Sequence, residues 1–288
     1  MAIMPPCLPI ANGGLTLTLA PATSTVYVNV TPSASPGTYD LYLIGEAGAR
    51  EHFCMVTLRI PEPSFTLSVS PSSLIVNLNS SGVFNINVTS INGFSSPVTL
   101  SVTHIPGVDG VFNPSIVTPP IGGVASSILT LNVSDEAEPG TYRLEITGEA
   151  DGLSDSADAT LRIADFSLSI SPTSLTVSIN STGSVTVTAT SISGFNTPID
   201  LDVSSLPSGV SASFDAETIT PPVDGSSSST LLLNVSGDAE PGVYTLTIIG
   251  SSSGSILRHI AHLSLTIPTP PPAPDFTLDL SETTVKVK

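Results

Sequence analysis

The chain has 288 residues, of which 11% are charged, yet 24 acidic residues against 7 basic ones give a formal net charge of −17. Its only lysines are Lys286 and Lys288. Nucleic acid is therefore a poor partner, because neutralising phosphates requires basic patches. No apolar run is long enough to span a bilayer, and the basic face of a membrane-surface helix is missing. Serine and threonine make up about 27% of the chain and solvate it in place of charges.

Two cysteines, Cys7 and Cys54, lie near the N-terminus. They could form a disulfide if Cys7 lies beside the strand that carries Cys54, and a metal held by these two thiols alone is the weaker alternative. The first residues have neither a basic region nor a continuous apolar stretch, so they are not typical of a secretory signal. We expect either that export is signalled elsewhere or that the true start precedes Met1.

The body of the chain is an internal repeat with a period of about 100 residues. Phe65-Thr-Leu-Ser-Val-Ser-Pro71 recurs as Phe166-Ser-Leu-Ser-Ile-Ser-Pro172, and Thr118-Pro-Pro120 recurs as Thr220-Pro-Pro222. From this we expect the C-terminal part of a truncated repeat at 1–61, complete repeats at 62–164 and 165–267, a proline-rich linker at 268–275, and the first strand of a further repeat at 276–288.

Each complete copy predicts about seven short strands in about 100 residues, as in immunoglobulin-like domains. Over residues 166–170 and 175–179 every second residue is apolar, which is typical of strands with one face in a core and one in water. No window shows a sustained helical period. The predicted fold is all-β, a tandem of immunoglobulin-like or fibronectin-III-like antiparallel β-sandwiches.

Tyr39, Tyr142 and Tyr244 each follow Pro-Gly at the start of the penultimate strand. At this corner of a sandwich a buried tyrosine hydroxyl bonds back to the backbone, so we interpret all three as structural. The matched phenylalanines are likewise expected to fill the core. Pro268-Thr-Pro-Pro-Pro-Ala-Pro274 favours extended polyproline II, and almost no linker remains between the two complete copies. We therefore expect a rod.

The recurring motifs are Phe-x-Leu-Ser-x-Ser-Pro, Gly-Phe-x-x-Pro-[Val/Ile]-x-Leu, Thr-Pro-Pro and Pro-Gly-x-Tyr-x-Leu-x-Ile. Together they resemble the immunoglobulin-like repeats, of the NEW3 and S-layer-associated type, of archaeal and bacterial surface or secreted proteins. The resemblance implies a stalk, an S-layer or filament part, or an appendage of a secreted hydrolase, at the cell surface or outside the cell. A complete member would carry a signal peptide and a membrane anchor. No catalytic residue carries over.

Six Asn-x-Ser/Thr sequons make N-glycosylation a candidate modification. Several coincide between copies, which fits either a glycosylated exterior or simple duplication of one ancestral strand. They lie at Asn29, Asn79, Asn87, Asn132, Asn180 and Asn234.

Other candidate chemistry is weak. Acidic residues cluster at Asp135–Glu138 and again between Glu149 and Asp158, where calcium is the alternative to a solvated acidic surface. Gly250-Ser-Ser-Ser-Gly254 has the Gly-x-Ser-x-Gly pattern of a nucleophile elbow, but we expect it to fill a hairpin turn and not to precede a helix. His259 and His262 are three apart on a strand, so they face opposite sides. We expect no enzyme activity, no cofactor and no metal.

Three functions remain as hypotheses. The first is a non-catalytic spacer of an exported cell-surface or S-layer-type protein, with the sequence as a fragment of a longer chain. Its partners would be other domains of that chain and cell-surface proteins or glycans. The second is an adhesin or a carbohydrate- or protein-binding appendage of a secreted hydrolase. The third is a filament subunit in which partial copies at the two ends exchange strands.

Overall fold

In the computed structural model, every regular element of the described residues is a β-strand. The described residues are 8–10, 14–19, 22–31, 34–47, 49–252, 257–271, 275–277 and 287. Within them, no helix is long and apolar enough to cross a membrane. The first five strands form a three-stranded sheet (β1 to β3) and a separate hairpin (β4 and β5). They are β1 Leu8–Ile10, β2 Gly14–Leu19, β3 Ala22–Tyr27, β4 Gly37–Ala47 and β5 Arg50–Ile60.

The next strands build the first sandwich. They are β6 Ser64–Ser70, β7 Ser73–Asn77, β8 Ser80–Ile91, β9 Val98–Val102, β10 Val108–Asn113, β11 Ile116–Val117, β12 Val124–Val133, β13 Gly140–Ala150 and β14 Leu153–Ser171. One sheet has the order β10-β12-β8-β6, and the facing sheet has the order β11-β9-β13-β14 with β7 added parallel to β14. Both sheets are otherwise antiparallel.

The second sandwich repeats this plan. Its strands are the second half of β14, then β15 Ser174–Thr176, β16 Ser181–Ile192, β17 Ile199–Ser204, β18 Val210–Phe214, β19 Thr218–Ile219, β20 Ser226–Val235, β21 Gly242–Ser252 and β22 Arg258–Ile267. One sheet runs β14-β16-β20-β18 and the other β15-β22-β21-β17-β19. The predicted fold class, tandem immunoglobulin-like sandwiches, is confirmed.

Each sandwich has nine strands where the alternation predicted about seven. The two alternating runs at the start of each copy belong to different sheets, because the chain crosses from one sheet to the other at Pro71 and at Pro172, each preceded by a cis peptide bond. The second run pairs parallel with the last strand of the same sandwich. A two-residue strand also follows the fifth strand of each copy.

The matched phenylalanines fill the two cores, as predicted. Phe65 packs on Phe94 with ring centroids 5.0 Å apart, and Phe166 packs on Phe195 at 5.1 Å. A glycine on the penultimate strand makes room for this cluster: a Cβ at Gly148 would lie 2.8 Å from the Leu67 side chain. The two cores are therefore built alike because the matched residues make matched contacts.

The predicted hydrogen bond of the tyrosine corner is confirmed in all three copies, although Tyr39 is exposed and not buried. The hydroxyls of Tyr39, Tyr142 and Tyr244 each donate to the carbonyl four residues earlier, at 2.8, 2.8 and 3.0 Å. The chain thus enters β4 through the same tyrosine hydrogen bond as it enters β13 and β21.

Candidate functional site

The two sandwiches share one strand, β14, and side chains of both sandwiches meet where this strand passes from one to the other. β14 runs without a break from the sheet β11-β9-β13-β14 of the first sandwich into the first strand of the second. From Ser154 onward, the more exposed residues of β14 have even numbers before the junction and odd numbers after it, and residues 163–166 between them are all buried. Because strand side chains alternate, the two cores lie on opposite sides of β14.

An ion pair spans the junction. Nη2 of Arg162 lies 2.7 and 2.8 Å from the two carboxylate oxygens of Asp224, which belongs to the turn before β20. The hydrogen bond from the guanidinium lowers the pKa of Asp224, and the backbone N–H of Gly194 adds to this effect. A Cβ on Gly194 would lie 3.1 Å from Cδ1 of Ile75, so the two sandwiches touch here as well.

A buried carboxylate stands at the centre of the junction. Asp165 is 7% exposed, and its Oδ1 accepts a hydrogen bond of 2.7 Å from the backbone N–H of Phe166. Nε2 of His259 lies 2.8 Å from the same oxygen, and the imidazole packs edge-on against the Phe166 ring at 4.6 Å. The polar groups at this point therefore fix the start of the second sandwich to its last strand.

The preceding junction is built differently. Arg59 pairs with Thr38 as Arg162 pairs with Thr141, so the two arginines occupy matched positions. The residue that matches Asp224 is Gly122, which has no carboxylate to offer. Within the first complete repeat, Nδ2 of Asn92 donates a hydrogen bond to the carbonyl oxygen of Glu62, at 3.0 Å.

The six sequon asparagines fall into three environments. Asn132 and Asn234 are exposed at matched positions on β12 and β20, and Asn87 is half-buried on β8, where its Oδ1 accepts from Ser126 at 2.8 Å. Asn79 and Asn180 lie in turns and not on strands, at φ of 56° and 58°, and both are exposed. Asn29 is exposed outside the strands. Glycosylation stays a prediction.

The cysteine prediction is not tested. Cys54 lies on β5, whereas Cys7 lies outside the described residues. The two histidines of the last strand point to opposite faces, as predicted: His259 contacts Asp165, and Nδ1 of His262 lies 3.4 Å from Thr247 Oγ1 on the outer face. The Gly-x-Ser-x-Gly match at residues 250–254 begins on β21, and its last two residues lie outside the described residues.

The acidic residues considered for calcium are dispersed. Asp155 accepts a hydrogen bond of 2.6 Å from the backbone N–H of Leu67, on the edge of the other sheet, and Asp158 pairs with Arg143 at 2.7 Å. Among the described residues, no three His, Cys, Asp or Glu side chains converge as metal ligands would. A cleft of about 590 Å³ opens at one edge of the first sandwich, with His104 and Asp109 among its lining residues.

The two outer faces of the second sandwich differ in chemistry. One sheet carries Asp200, Asp202 and Arg258 on strands. The exposed part of the other sheet's outer face has no charged residue, because Asp165 and Ile192, which pair at its end, are buried and half-buried, and all but two of its residues are serine or threonine. Its residues are Ser167, Ser169, Ser171, Thr182, Ser184, Thr186, Thr188, Thr190, Ser211, Ser213, Ser226, Ser228, Thr230, Leu232 and Asn234.

Comparisons with known proteins add only distant likenesses. No protein-family model matches the chain, and no curated protein matches it. The C-terminal domain of the AgI/II polypeptide BspA of Streptococcus agalactiae is 9% identical, with 70% of this chain and 100% of that chain covered and a TM-score of 0.45. An I-band fragment of titin is 12% identical (91% and 84% covered, TM-score 0.39), and domains 4 and 5 of the S-layer protein SbsC are 13% identical (72% and 98% covered, TM-score 0.33). Likenesses this weak carry no conclusion about function.

Proposed function

We propose that the chain is a non-catalytic structural spacer, a stalk segment of an exported protein at the cell surface or in an S-layer-type lattice. The observation that carries this proposal is the junction between the two sandwiches, the repeat units that we place at 62–164 and 165–267. A strand that continues through both units leaves no linker to act as a hinge, and Arg162 with Asp224 ties them together from the side. Such a junction restricts the orientation of one unit relative to the next, as a spacer requires.

The surface chemistry fits a location outside the cell. A face of serine and threonine stays hydrated without charges, and Asn132 and Asn234 stand exposed on matched strands. Glycans on these two residues would extend from the sandwiches without disturbing the core, because neither side chain contributes to it. We propose other domains of the same chain and cell-surface proteins or glycans as partners.

Small-angle X-ray scattering of the whole chain in dilute solution tests the spacer. We expect an elongated particle whose pair-distance distribution has a long tail, with the two sandwiches end to end. A compact particle, in which the sandwiches fold back on each other, would refute the proposal. Intact-mass analysis of the protein purified from its native source tests the modification, with Asn132→Gln and Asn234→Gln as variants that each remove one glycan mass.

A further inference from the structure

β18, Val210–Phe214, is an edge strand with one unpaired side. It ends the sheet β14-β16-β20-β18, and β20 is its only ladder partner among the described residues. Gly209 and Asp215, which flank β18, hydrogen-bond through their backbone on the side of β20. Because bonding alternates along an antiparallel strand, Val210, Ala212 and Phe214 direct their backbone groups away from β20. An unpaired edge of this kind is a template for an added strand.

The sequence of β18 is close to a palindrome about Ala212. Ser211 and Ser213 flank this alanine on the outer face, where both are exposed. Val210 and Phe214 follow on the side of the core, where they are half-buried. Two copies of β18 can therefore pair antiparallel with Ala212 opposite Ala212. Ser211 of each copy then lies opposite Ser213 of the other, and Val210 lies opposite Phe214. Hydroxyl pairs and apolar pairs are both favourable across strands.

The same register matches backbone donors with acceptors. The two Ala212 residues exchange a pair of N–H to carbonyl hydrogen bonds, as residues directly opposite each other do in an antiparallel ladder. The N–H of each Phe214 donates to the carbonyl oxygen of Val210 in the other copy. The N–H of Val210 is not required for pairing, because it already donates to the carbonyl oxygen of Pro207 at 3.1 Å. The edge thus complements itself in its backbone as well as in its side chains.

No like charges meet in this register, which matters for a chain with a formal net charge of −17. β18 itself has no charged residue. Beyond its end, Asp215 lies opposite Gly209 of the other copy, and Glu217 lies opposite Pro207. The carboxylate of Asp215 is also bound within its own chain, since its Oδ1 accepts a hydrogen bond of 2.6 Å from the Ser229 hydroxyl. Two acidic molecules can therefore approach along this edge without placing carboxylates together.

The matched edge of the first sandwich lacks this pattern. β10 carries Asp109 and Val111 where β18 carries Ser211 and Ser213, and both residues of β10 are exposed. The corresponding register would set the carboxylate of Asp109 against the Val111 side chain at both ends of the pair. A charged residue on an edge strand is a common protection against pairing. The first edge carries this protection, and the second edge does not.

We propose that β18 is a docking surface for a second copy of this chain, which adds its own β18 antiparallel and joins the two sheets into one. This pairing goes beyond the spacer role and does not depend on it. The exposed face of serine and threonine then continues without charge across both molecules. A glycan on Asn234 is compatible with the pairing, because this side chain stands out of the sheet, whereas the contact runs within the plane of the sheet.

Sedimentation velocity of the full chain over a wide dilution series, at physiological ionic strength, is the first test. We expect a concentration-dependent dimer. Ser211→Asp gives β18 the residue that β10 has at this position, so it should keep the circular dichroism spectrum of the parent and raise the dissociation constant at least about tenfold. Ser167→Asp adds the same charge to the same outer face on β14, the opposite edge of the sheet, and should leave the dissociation constant unchanged.

Cysteine pairs test the register. In the proposed pair, residue 211 of one copy and residue 213 of the other have Cα atoms about 4.5 Å apart, within the range of a disulfide. Under mild oxidation, an equimolar mixture of Ser211→Cys and Ser213→Cys should form a cross-linked dimer several times faster than either variant alone. Cys7 and Cys54 are the same in all three samples, so the single variants are the control.

Three results would each overturn the proposal. The first is a parent protein that stays monomeric over the whole dilution series. The second is a Ser211→Asp variant that dimerises as well as the parent, which would place the contact elsewhere on the molecule. The third is a mixture of the two cysteine variants that cross-links no faster than the single variants, which would exclude the antiparallel register about Ala212.

Discussion

Replacing Gly194 by alanine separates the packing of the junction from the stability of the sandwich. Gly194 lies in the turn after β16 at φ of 89°, and an added Cβ would lie 3.1 Å from Ile75 Cδ1 and 3.2 Å from Arg162 Cζ. Its counterpart Gly93 has φ of 83° and would place a Cβ with nothing within 4 Å. The two glycines thus share a backbone requirement but not their surroundings.

The backbone term is the same for both variants. Alanine in the left-handed region costs about 1–2 kcal/mol, so Gly93→Ala and Gly194→Ala should lower the free energy of unfolding by about that amount. The contacts at Gly194 add little, because Ile75 is 44% exposed and Arg162 has a flexible side chain that can move away. That movement is what matters, because it withdraws the guanidinium from Asp224.

The two variants should therefore differ in geometry more than in stability. Urea unfolding measures the stability, and residual dipolar couplings, which report the relative orientation of the two sandwiches, measure the geometry. We expect similar losses of stability in both variants but a broader distribution of orientations in Gly194→Ala alone. Equal distributions in the two variants would refute the claim that side chains at the junction hold the sandwiches in line.

Three further predictions concern the sandwiches themselves. Tyr142→Phe and Tyr244→Phe should each lower the free energy of unfolding by about 1 kcal/mol in urea titrations, because each removes one hydrogen bond to a backbone carbonyl; no loss in either would leave the corner without an energetic role. Phe84→Ala, at a side chain with 0% exposure, should cost about 3–5 kcal/mol, whereas its exposed neighbour Val83→Ala should change stability by less than about 0.5 kcal/mol. Finally, the hydrogen bond from Arg162 lowers the pKa of Asp224. The stabilisation of the junction by this ion pair is therefore present above the ordinary aspartate pKa of roughly 4, and it is lost as the pH falls through the lowered pKa of Asp224. Dipolar couplings of the two sandwiches should accordingly change on acidification in the parent protein and be unresponsive in Arg162→Ala.

Much of the fold could be predicted because each copy repeats the same short-range signals. Alternation along a strand and the Pro-Gly-x-Tyr motif are local, and both led to the observed strands and to the tyrosine hydrogen bonds. The crossing between sheets at Pro71 and Pro172 was not predicted, although the apolar positions change from odd to even numbers across Pro71 and from even to odd across Pro172. Which sheet a strand joins is decided by pairing with distant strands, and a local pattern does not record that.

The junction could not be read from the repeat. Arg162 and Asp224 are 62 positions apart and belong to different copies, whereas the repeat only shows what is shared within a copy. The informative signal was an exception to the repeat: Asp224 stands where Gly122 stands in the first copy, and His259 stands where Asp155 does. Differences between matched positions, as at Asp224 and His259, mark contacts that a single unit does not need.

The substitution Asp224→Gly makes the second junction resemble the first. Asp224 has φ of 54° and the matched Gly122 has φ of 67°, so glycine fits this turn without strain and the sandwich should stay as stable as the parent. The ion pair to Arg162 is lost, and we expect the distribution of sandwich orientations to broaden. Asp158→Asn, which removes the equally short pair with Arg143 far from the junction, should leave that distribution unchanged. If Asp224→Gly also leaves it unchanged, continuity of β14 alone keeps the two sandwiches in line. If the distribution broadens, the pair of Arg162 and Asp224 sets the stiffness of this junction as well.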